Sequence, residues 1–212
     1  MFRDRIDAGQ QLAAKLGGYA GQSVVVIGLP RGGVPVAREV ARTLRAPLDV
    51  VVVRKLGTPG NQELGFGAVS EEDVVVFNHE IIRRTGIWQT DIDRAIARER
   101  QELKRRLDGI RAQYPQKSLK DRVVIIIDDG IATGIDAKAA CRVVRARGAK
   151  LVVLATPVAP SDWKATMERE ADVLVAVHED PLFMAVGAYY DDFMQVTDEQ
   201  VLECLESACL TP

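Results

Sequence analysis

The stretch Val123-Val-Ile-Ile-Ile-Asp-Asp-Gly-Ile-Ala-Thr-Gly-Ile-Asp136 decides the fold. Five β-branched aliphatics end in two adjacent carboxylates, a glycine-bounded turn follows, and residues 136–147 then carry the apolar spacing of a helix. The reading is strand, loop, helix. A strand without polar alternation is buried on both faces, as strands of a parallel sheet are. Asp128 and Asp129 therefore stand at its carboxyl end, where an open parallel sheet presents its crevice. The helix that follows points its free amides into the same crevice, so the carboxylates lie beside an anion site.

The same alternation runs through the chain. Strand-like aliphatic runs occupy 23–28, 48–54, 122–128, 150–157 and 171–177, and helical spacing occupies 34–44, 91–111, 136–147 and 161–170. A shorter strand is predicted at 73–77. A first helix over 4–16 closes at Gly17-Gly18, and a tail helix over 198–208 starts behind a Thr197 cap. Parallel strands need crossovers, and both sheet faces need covering. The expectation is an α/β fold: a doubly wound, mainly parallel five-stranded sheet flanked by helices, in one domain over 1–212 with its core at about 22–177.

Composition narrows the function classes. At 212 residues and 47% hydrophobic the chain can bury one substantial core, and 28 basic against 30 acidic residues provide no global field to draw in nucleic acid. The segment 91–111 does carry Arg98, Arg100, Lys104, Arg105 and Arg106. Yet Ile92, Ile96, Leu103, Leu107 and Ile110 share one helical face, and Glu99 and Glu102 interleave the cations. A solvated helix docked by one stripe is expected ahead of a nucleic-acid-contacting ridge. Cys141, Cys204 and Cys209 have neither metal-ligand spacing nor an even count and are expected to be reduced packing residues. No apolar run approaches the roughly 20 residues of a membrane span, and the first seven residues lack the apolar core of a signal peptide. The expectation is a cytoplasmic protein with no membrane partner.

Three loops could share one ligand. Gly28-Leu-Pro-Arg-Gly-Gly-Val-Pro-Val36 follows the first strand: Gly32 and Gly33 let backbone amides approach an anion, and Arg31 adds a fixed charge. Neither the spacing of a Walker loop nor that of a dinucleotide fingerprint is present. Arg54-Lys-Leu-Gly-Thr-Pro-Gly-Asn-Gln-Glu-Leu64 follows the second strand and reads either as a mobile cover over phosphates or as a surface hairpin. In the third, Asp128 and Asp129 can receive two neighbouring hydroxyls. Gly130, Ile131, Ala132, Thr133 and Gly134 offer backbone donors and one hydroxyl to a phosphate monoester. A sugar phosphate would satisfy both halves at once.

Here the residues 124–134 resemble the phosphoribosyl-pyrophosphate signature of the type I phosphoribosyltransferases, and the Arg31-Gly-Gly-Val-Pro35 loop resembles their pyrophosphate loop. Arg54 and Lys55 lie where many members carry a basic pair. The resemblance implies the phosphoribosyltransferase fold, with a small hood built from the chain ends at about 1–20 and 178–212. It implies transfer of the phosphoribosyl group of phosphoribosyl pyrophosphate to a nitrogen base, in nucleobase salvage or related nucleotide metabolism. The ribose hydroxyls would meet Asp128 and Asp129, and the 5-phosphate would meet residues 130–134. Pyrophosphate would lie against Arg31, Gly32 and Gly33, with Arg54 and Lys55 neutralising it. Magnesium would bridge pyrophosphate and ribose, reaching Asp128 and Asp129 mostly through hydroxyls or water.

Two departures stand out. The stretch 56–64 holds only Glu63 as an ionised side chain, and Glu63 becomes the candidate for handling the base proton. Ala132 stands where members acting on 6-oxopurines often carry aspartate, which leans toward the adenine-type pattern. Phe183, Tyr189, Tyr190 and Phe193 gather four of the eleven aromatics, and they could stack a flat base or pack the tail helix. His79 and His178 are expected to be surface or packing residues. Members often close their sites across subunits, so a homodimer is among the assemblies implied. The alternative reading is a regulator that keeps the site as a phosphoribosyl-pyrophosphate sensor and binds nucleic acid or a protein elsewhere.

Overall fold

The computed structural model describes residues 1–209, apart from the side chains of Glu63 and Cys209. The chain opens with α1 (Arg5–Leu16), capped by Asp4, whose carboxylate accepts from the Asp7 amide at 2.8 Å. β1 (Val24–Gly28), α2 (Gly33–Leu44) and β2 (Leu48–Val50) follow. Then come β3 (Val53–Thr58), β4 (Asn61–Ser70), β5 (Val75–Phe77), α3 (His79–Thr85) and α4 (Gln89–Arg111). The remainder is β6 (Val123–Ile127), α5 (Ile135–Ala146), β7 (Leu151–Pro160), α6 (Trp163–Met167), β8 (Val173–Asp180) and α7 (Asp198–Cys209). Thr197 caps α7: its hydroxyl accepts from the Gln200 amide at 3.2 Å, while Gln200 Oε1 accepts from the Thr197 amide at 2.9 Å.

The main sheet is five-stranded and parallel throughout, in the order β2-β1-β6-β7-β8. Its strands serve two cores by simple alternation. Val24, Val26, Ile125, Ile127, Val153 and Ala155 face the layer of α1, α2 and α7, whereas Val25, Ile27, Val124, Ile126, Val152 and Leu154 face α5 and α6. Chain direction across the sheet reverses between β1 and β6, because β1 leads outward to β2 and β6 leads outward to β7. That is the switch point at which doubly wound sheets open a crevice.

The expected strand over 48–54 is two strands in two sheets. β2 ends at Val50, and β3 begins a separate antiparallel sheet in the order β3-β4-β5. A continuous aliphatic run satisfies either sheet, and local bonds decide: the Ser70 hydroxyl donates to Val52 O at 2.7 Å, and the Val52 amide donates to Glu71 Oε1 at 2.9 Å. Residues 54–64 run through the antiparallel β3–β4 hairpin, with its turn at Gly60 (φ 81°). β4 and α3 are absent from the sequence-based expectations, and the helix expected over 161–170 contracts to Trp163–Met167. α3 and α4 cover the antiparallel sheet through Ile81, Ile82, Ile92 and Ala95, which pack on Leu56, Phe66 and Val69.

A buried ionic network joins the two sheets. Asp49 is 2% exposed, and its carboxylate accepts from Arg111 Nη1 at 2.6 Å and from the Lys117 amide at 2.9 Å, with Arg147 Nη2 at 3.7 Å. Arg111 also donates to Val50 O at 3.0 Å and lies 3.8 Å from Glu71, so one guanidinium reaches both sheets. Removing one partner of such a pair strands buried charge. Asp49→Asn is expected to lower the unfolding free energy by about 3–5 kcal/mol in urea titration. A loss below about 1 kcal/mol would show that the Asp49 ion pairs contribute little to holding the two sheets together.

Candidate functional site

The switch point brings the first and third loops together. Gly28 is the register partner of Ile127, and the Leu29 amide donates to Ile127 O at 2.9 Å, which stitches the loop after β1 to the loop after β6. Glycine is required where they meet. A Cβ on Gly33 would lie 2.6 Å from Ile127 O and 2.8 Å from Asp128 Cα, and one on Gly32 would collide with the Asp129 carboxylate. Arg31 follows a cis peptide bond, is half-buried and forms no ion pair among the described residues.

Beyond the carboxylates the chain turns past Gly130 to Gly134, which holds φ 70° as it enters α5. Ile131 is buried and its amide donates to Val158 O at 2.9 Å, so it anchors the loop. Ala132 and Thr133 are exposed, and the amides of Ala132, Thr133 and Gly134 find no backbone acceptor among the described residues. Loop amides and the start of a twelve-residue helix make a cradle for an anion.

The carboxylates are held at an energetic cost. Burial, then the charges of Asp129 and Asp136, push the Asp128 carboxyl well above the ordinary carboxylate range. Burial raises Asp129 as well, while Arg5 acts to lower it. Asp136 in the first turn of α5 is also raised by burial and opposed by Lys55, and its Oδ1 is buried without a hydrogen-bond partner among the described residues.

Arg5 carried no signal in the sequence, yet it is the cation on Asp129. Its Nε and Nη2 each lie 2.8 Å from Asp129 Oδ2, Nη1 donates to Met194 O at 2.7 Å, and its guanidinium carbon lies 4.0 Å from the Phe193 ring centre. The Tyr190 hydroxyl donates to Asp129 O at 2.6 Å. Tyr190 is 6% exposed and packs between Phe2 and Phe193. Phe183 stacks on Tyr189, whose hydroxyl donates to Asp180 at 2.6 Å. The four aromatics thus form a packed group joining the two chain ends, and Phe2 pairs with Tyr190 as an isolated bridge.

The basic pair of β3 divides. Arg54 donates twice to Glu99 of α4, at 2.8 and 3.0 Å, and is committed to that carboxylate; Lys55 lies in the field of Asp136. Glu63 lies in β4, with its side chain outside the described residues. The cations of α4 are largely paired: Arg94 with Asp91, Arg98 with Glu99, Arg100 with Asp73, Lys104 with Asp108 and Arg105 with Glu102. Arg106 is only 4.0 Å from Asp198 and shares with Pro30 and Arg105 a cavity of about 290 Å³ beside the first loop. His79 and His178 are exposed. Cys141 and Cys204 are buried free thiols, and burial pushes Cys141 up to about 12. Among the described residues, no helix is long and apolar enough to cross a membrane.

Residues 3–186 match the family model of the phosphoribosyl transferase domain. A Mycobacterium tuberculosis protein, whose phosphoribosyl transferase name is itself provisional, is 48% identical over 208 residues, 98% of this chain. The chain spans about half the length of that relative, 47%. The crystal structure of TT1426 from Thermus thermophilus superposes with a TM-score of 0.80 at 44% identity, covering 97% of this chain and 98% of that one. A purine phosphoribosyltransferase from Pyrococcus horikoshii shares the fold, with a TM-score of 0.50 at 19% identity over 93% of this chain and 98% of that one. The five-stranded parallel architecture is thus that of the type I phosphoribosyltransferases, and with most of its length matched by the family model, the chain belongs to the phosphoribosyl transferase domain family.

Proposed function

We propose that the chain is a magnesium-dependent phosphoribosyltransferase that passes the phosphoribosyl group of phosphoribosyl pyrophosphate to a nitrogen base, releasing pyrophosphate, in nucleobase salvage or related metabolism. One observation carries this reading: a carboxylate pair and a cradle of amides without backbone acceptors among the described residues lie on one loop, and the Arg31-Gly32-Gly33 turn packs directly on that loop. A ligand with vicinal hydroxyls, a monoester phosphate and a second anionic group matches all three parts.

In this proposal Asp128 and Asp129 accept the ribose hydroxyls, and the amides of 132–134 with the Thr133 hydroxyl hold the 5-phosphate. Arg31 and the Gly32 amide face the leaving pyrophosphate, while the Gly33 amide donates to Leu29 O at 3.0 Å and holds the turn closed; Lys55 adds charge from β3. The transition state separates a ribosyl cation from an anion, so alignment and charge stabilisation do the chemistry and no nucleophilic side chain is called for. The residues fit a divalent cation, because burial holds the Asp128 and Asp129 carboxyls above their ordinary range, the charges of Asp129 and Asp136 raise Asp128 further, and a cation relieves both. No three His, Cys, Asp or Glu side chains converge among the described residues, so such an ion would take most of its oxygens from substrate and water. Magnesium would supply neutralisation of the leaving pyrophosphate.

The direct test is pyrophosphate release from phosphoribosyl pyrophosphate with magnesium, across purine and pyrimidine bases, nicotinate and aromatic amines. Release that depends on one acceptor is expected, and a folded chain that neither binds phosphoribosyl pyrophosphate nor releases pyrophosphate would overturn the proposal. Replacing Asp128 and Asp129 together by Asn should abolish magnesium-dependent binding by calorimetry while far-UV circular dichroism stays native. Undiminished binding would remove the carboxylates from the site.

A stability prediction follows from the raised Asp128 carboxyl. Its folded form holds a proton at pH values where the unfolded chain has lost it, so wild-type stability falls as pH rises out of the ordinary carboxylate range and through the folded value. Asparagine has no charge to bury. Asp128→Asn should therefore melt above wild type at pH 7, and the advantage should shrink as pH falls into the ordinary carboxylate range. A variant that melts below wild type at pH 7 would contradict this.

A further inference from the structure

We propose that Arg5 is a positioning residue for the ribose side of the site: it fixes the Asp129 carboxylate with one oxygen enclosed and the other left to the substrate. The inference rests on the transferase reading above and deepens it. Both guanidinium bonds to Asp129 fall on Oδ2, from Nε and from Nη2 at 2.8 Å each. Gly32 closes the other side of the same oxygen, since any Cβ there would collide with it. Oδ2 is thereby walled in by α1 and the first loop, whereas Arg5 makes no bond to Oδ1. Turning the carboxylate would break both bonds at once, so its orientation is set before any ligand arrives.

Arg5 itself has little left to offer a ligand. Its side chain is 11% exposed, Nη1 is committed to Met194 O at 2.7 Å, and one face of the guanidinium lies over Phe193. Phe193 in turn packs on Tyr190, whose hydroxyl bonds the Asp129 carbonyl. Phe193 therefore holds Arg5, Arg5 holds the Asp129 carboxylate, and Tyr190 holds the Asp129 carbonyl, so the two ends of the described chain act on the central loop at one residue. A group that acts this way should affect the part of the ligand that Asp129 touches and spare the rest.

The full chain would be titrated calorimetrically with phosphoribosyl pyrophosphate and, separately, with inorganic pyrophosphate, both with magnesium, as wild type, Arg5→Met and Arg5→Lys. Arg5→Met is expected to weaken phosphoribosyl pyrophosphate roughly ten-fold or more and to leave pyrophosphate within about two-fold, because charge-assisted bonds to one carboxylate are lost while the pyrophosphate loop keeps its groups. Arg5→Lys, which keeps the charge but not the paired donors, should fall between. Unchanged phosphoribosyl pyrophosphate affinity in Arg5→Met, or equal weakening of both ligands, would overturn the inference. A wild-type chain that binds no phosphoribosyl pyrophosphate would instead overturn the transferase reading. Should Arg5→Met fail to fold, Arg5→Lys and Phe193→Leu carry the same comparison, each expected to lose phosphoribosyl pyrophosphate selectively.

Discussion

The close approach of Gly33 to the end of β6 is the constraint on which the site depends. With Gly28 in register with Ile127 and the Leu29 amide bonded to Ile127 O, the backbone of the first loop rests directly on the backbone that carries Asp128. A side chain at Gly33 would wedge the two apart at the switch point. Everything functional in the proposal follows from that contact: the carboxylates, the amide cradle and Arg31 come within reach of a single ligand because two strand ends are neighbours and their loops are flush.

Charge is handled in two opposite ways in this molecule. Around Asp49 the buried carboxylate is surrounded by Arg111, Arg147 and the Lys117 amide, so each charge has its counterpart and the network ties the two sheets together. Around Asp128 the carboxylates outnumber their cations. Arg5 serves Asp129, Lys55 acts on Asp136, and Asp128 has burial and like charge against it. An excess of buried negative charge at the mouth of a crevice is unfavourable for the empty fold and favourable for a ligand that brings hydroxyl donors and a cation.

The antiparallel sheet explains how α4 can be both highly charged and firmly docked. Its apolar stripe covers Leu56, Phe66 and Val69, while Glu99 turns inward to bind Arg54 and the remaining cations pair along the helix. Paired cations on a solvated face make a weak field for nucleic acid. The same pairing redistributes the charge expected of the second loop: Arg54 is spent on Glu99, and Arg106 of α4 comes to the edge of the first loop instead.

The parallel sheet is legible in local pattern alone, because runs such as Val123–Ile127 are apolar at every position and only burial on both faces tolerates that. So are the contents of the central loop, where two carboxylates, three small residues and a threonine follow one strand within seven positions. Long-range contacts settled the rest. The run 48–54 was divided between two sheets by Ser70 and Glu71, side chains about twenty positions away. The aromatics of 183–193 packed against Phe2 and Arg5 from the opposite end of the chain. Arg5 meets Asp129 across 124 positions, and no spacing rule reaches that far. Periodicity reports which face of an element is buried; which partner it is buried against is settled only when the chain closes on itself.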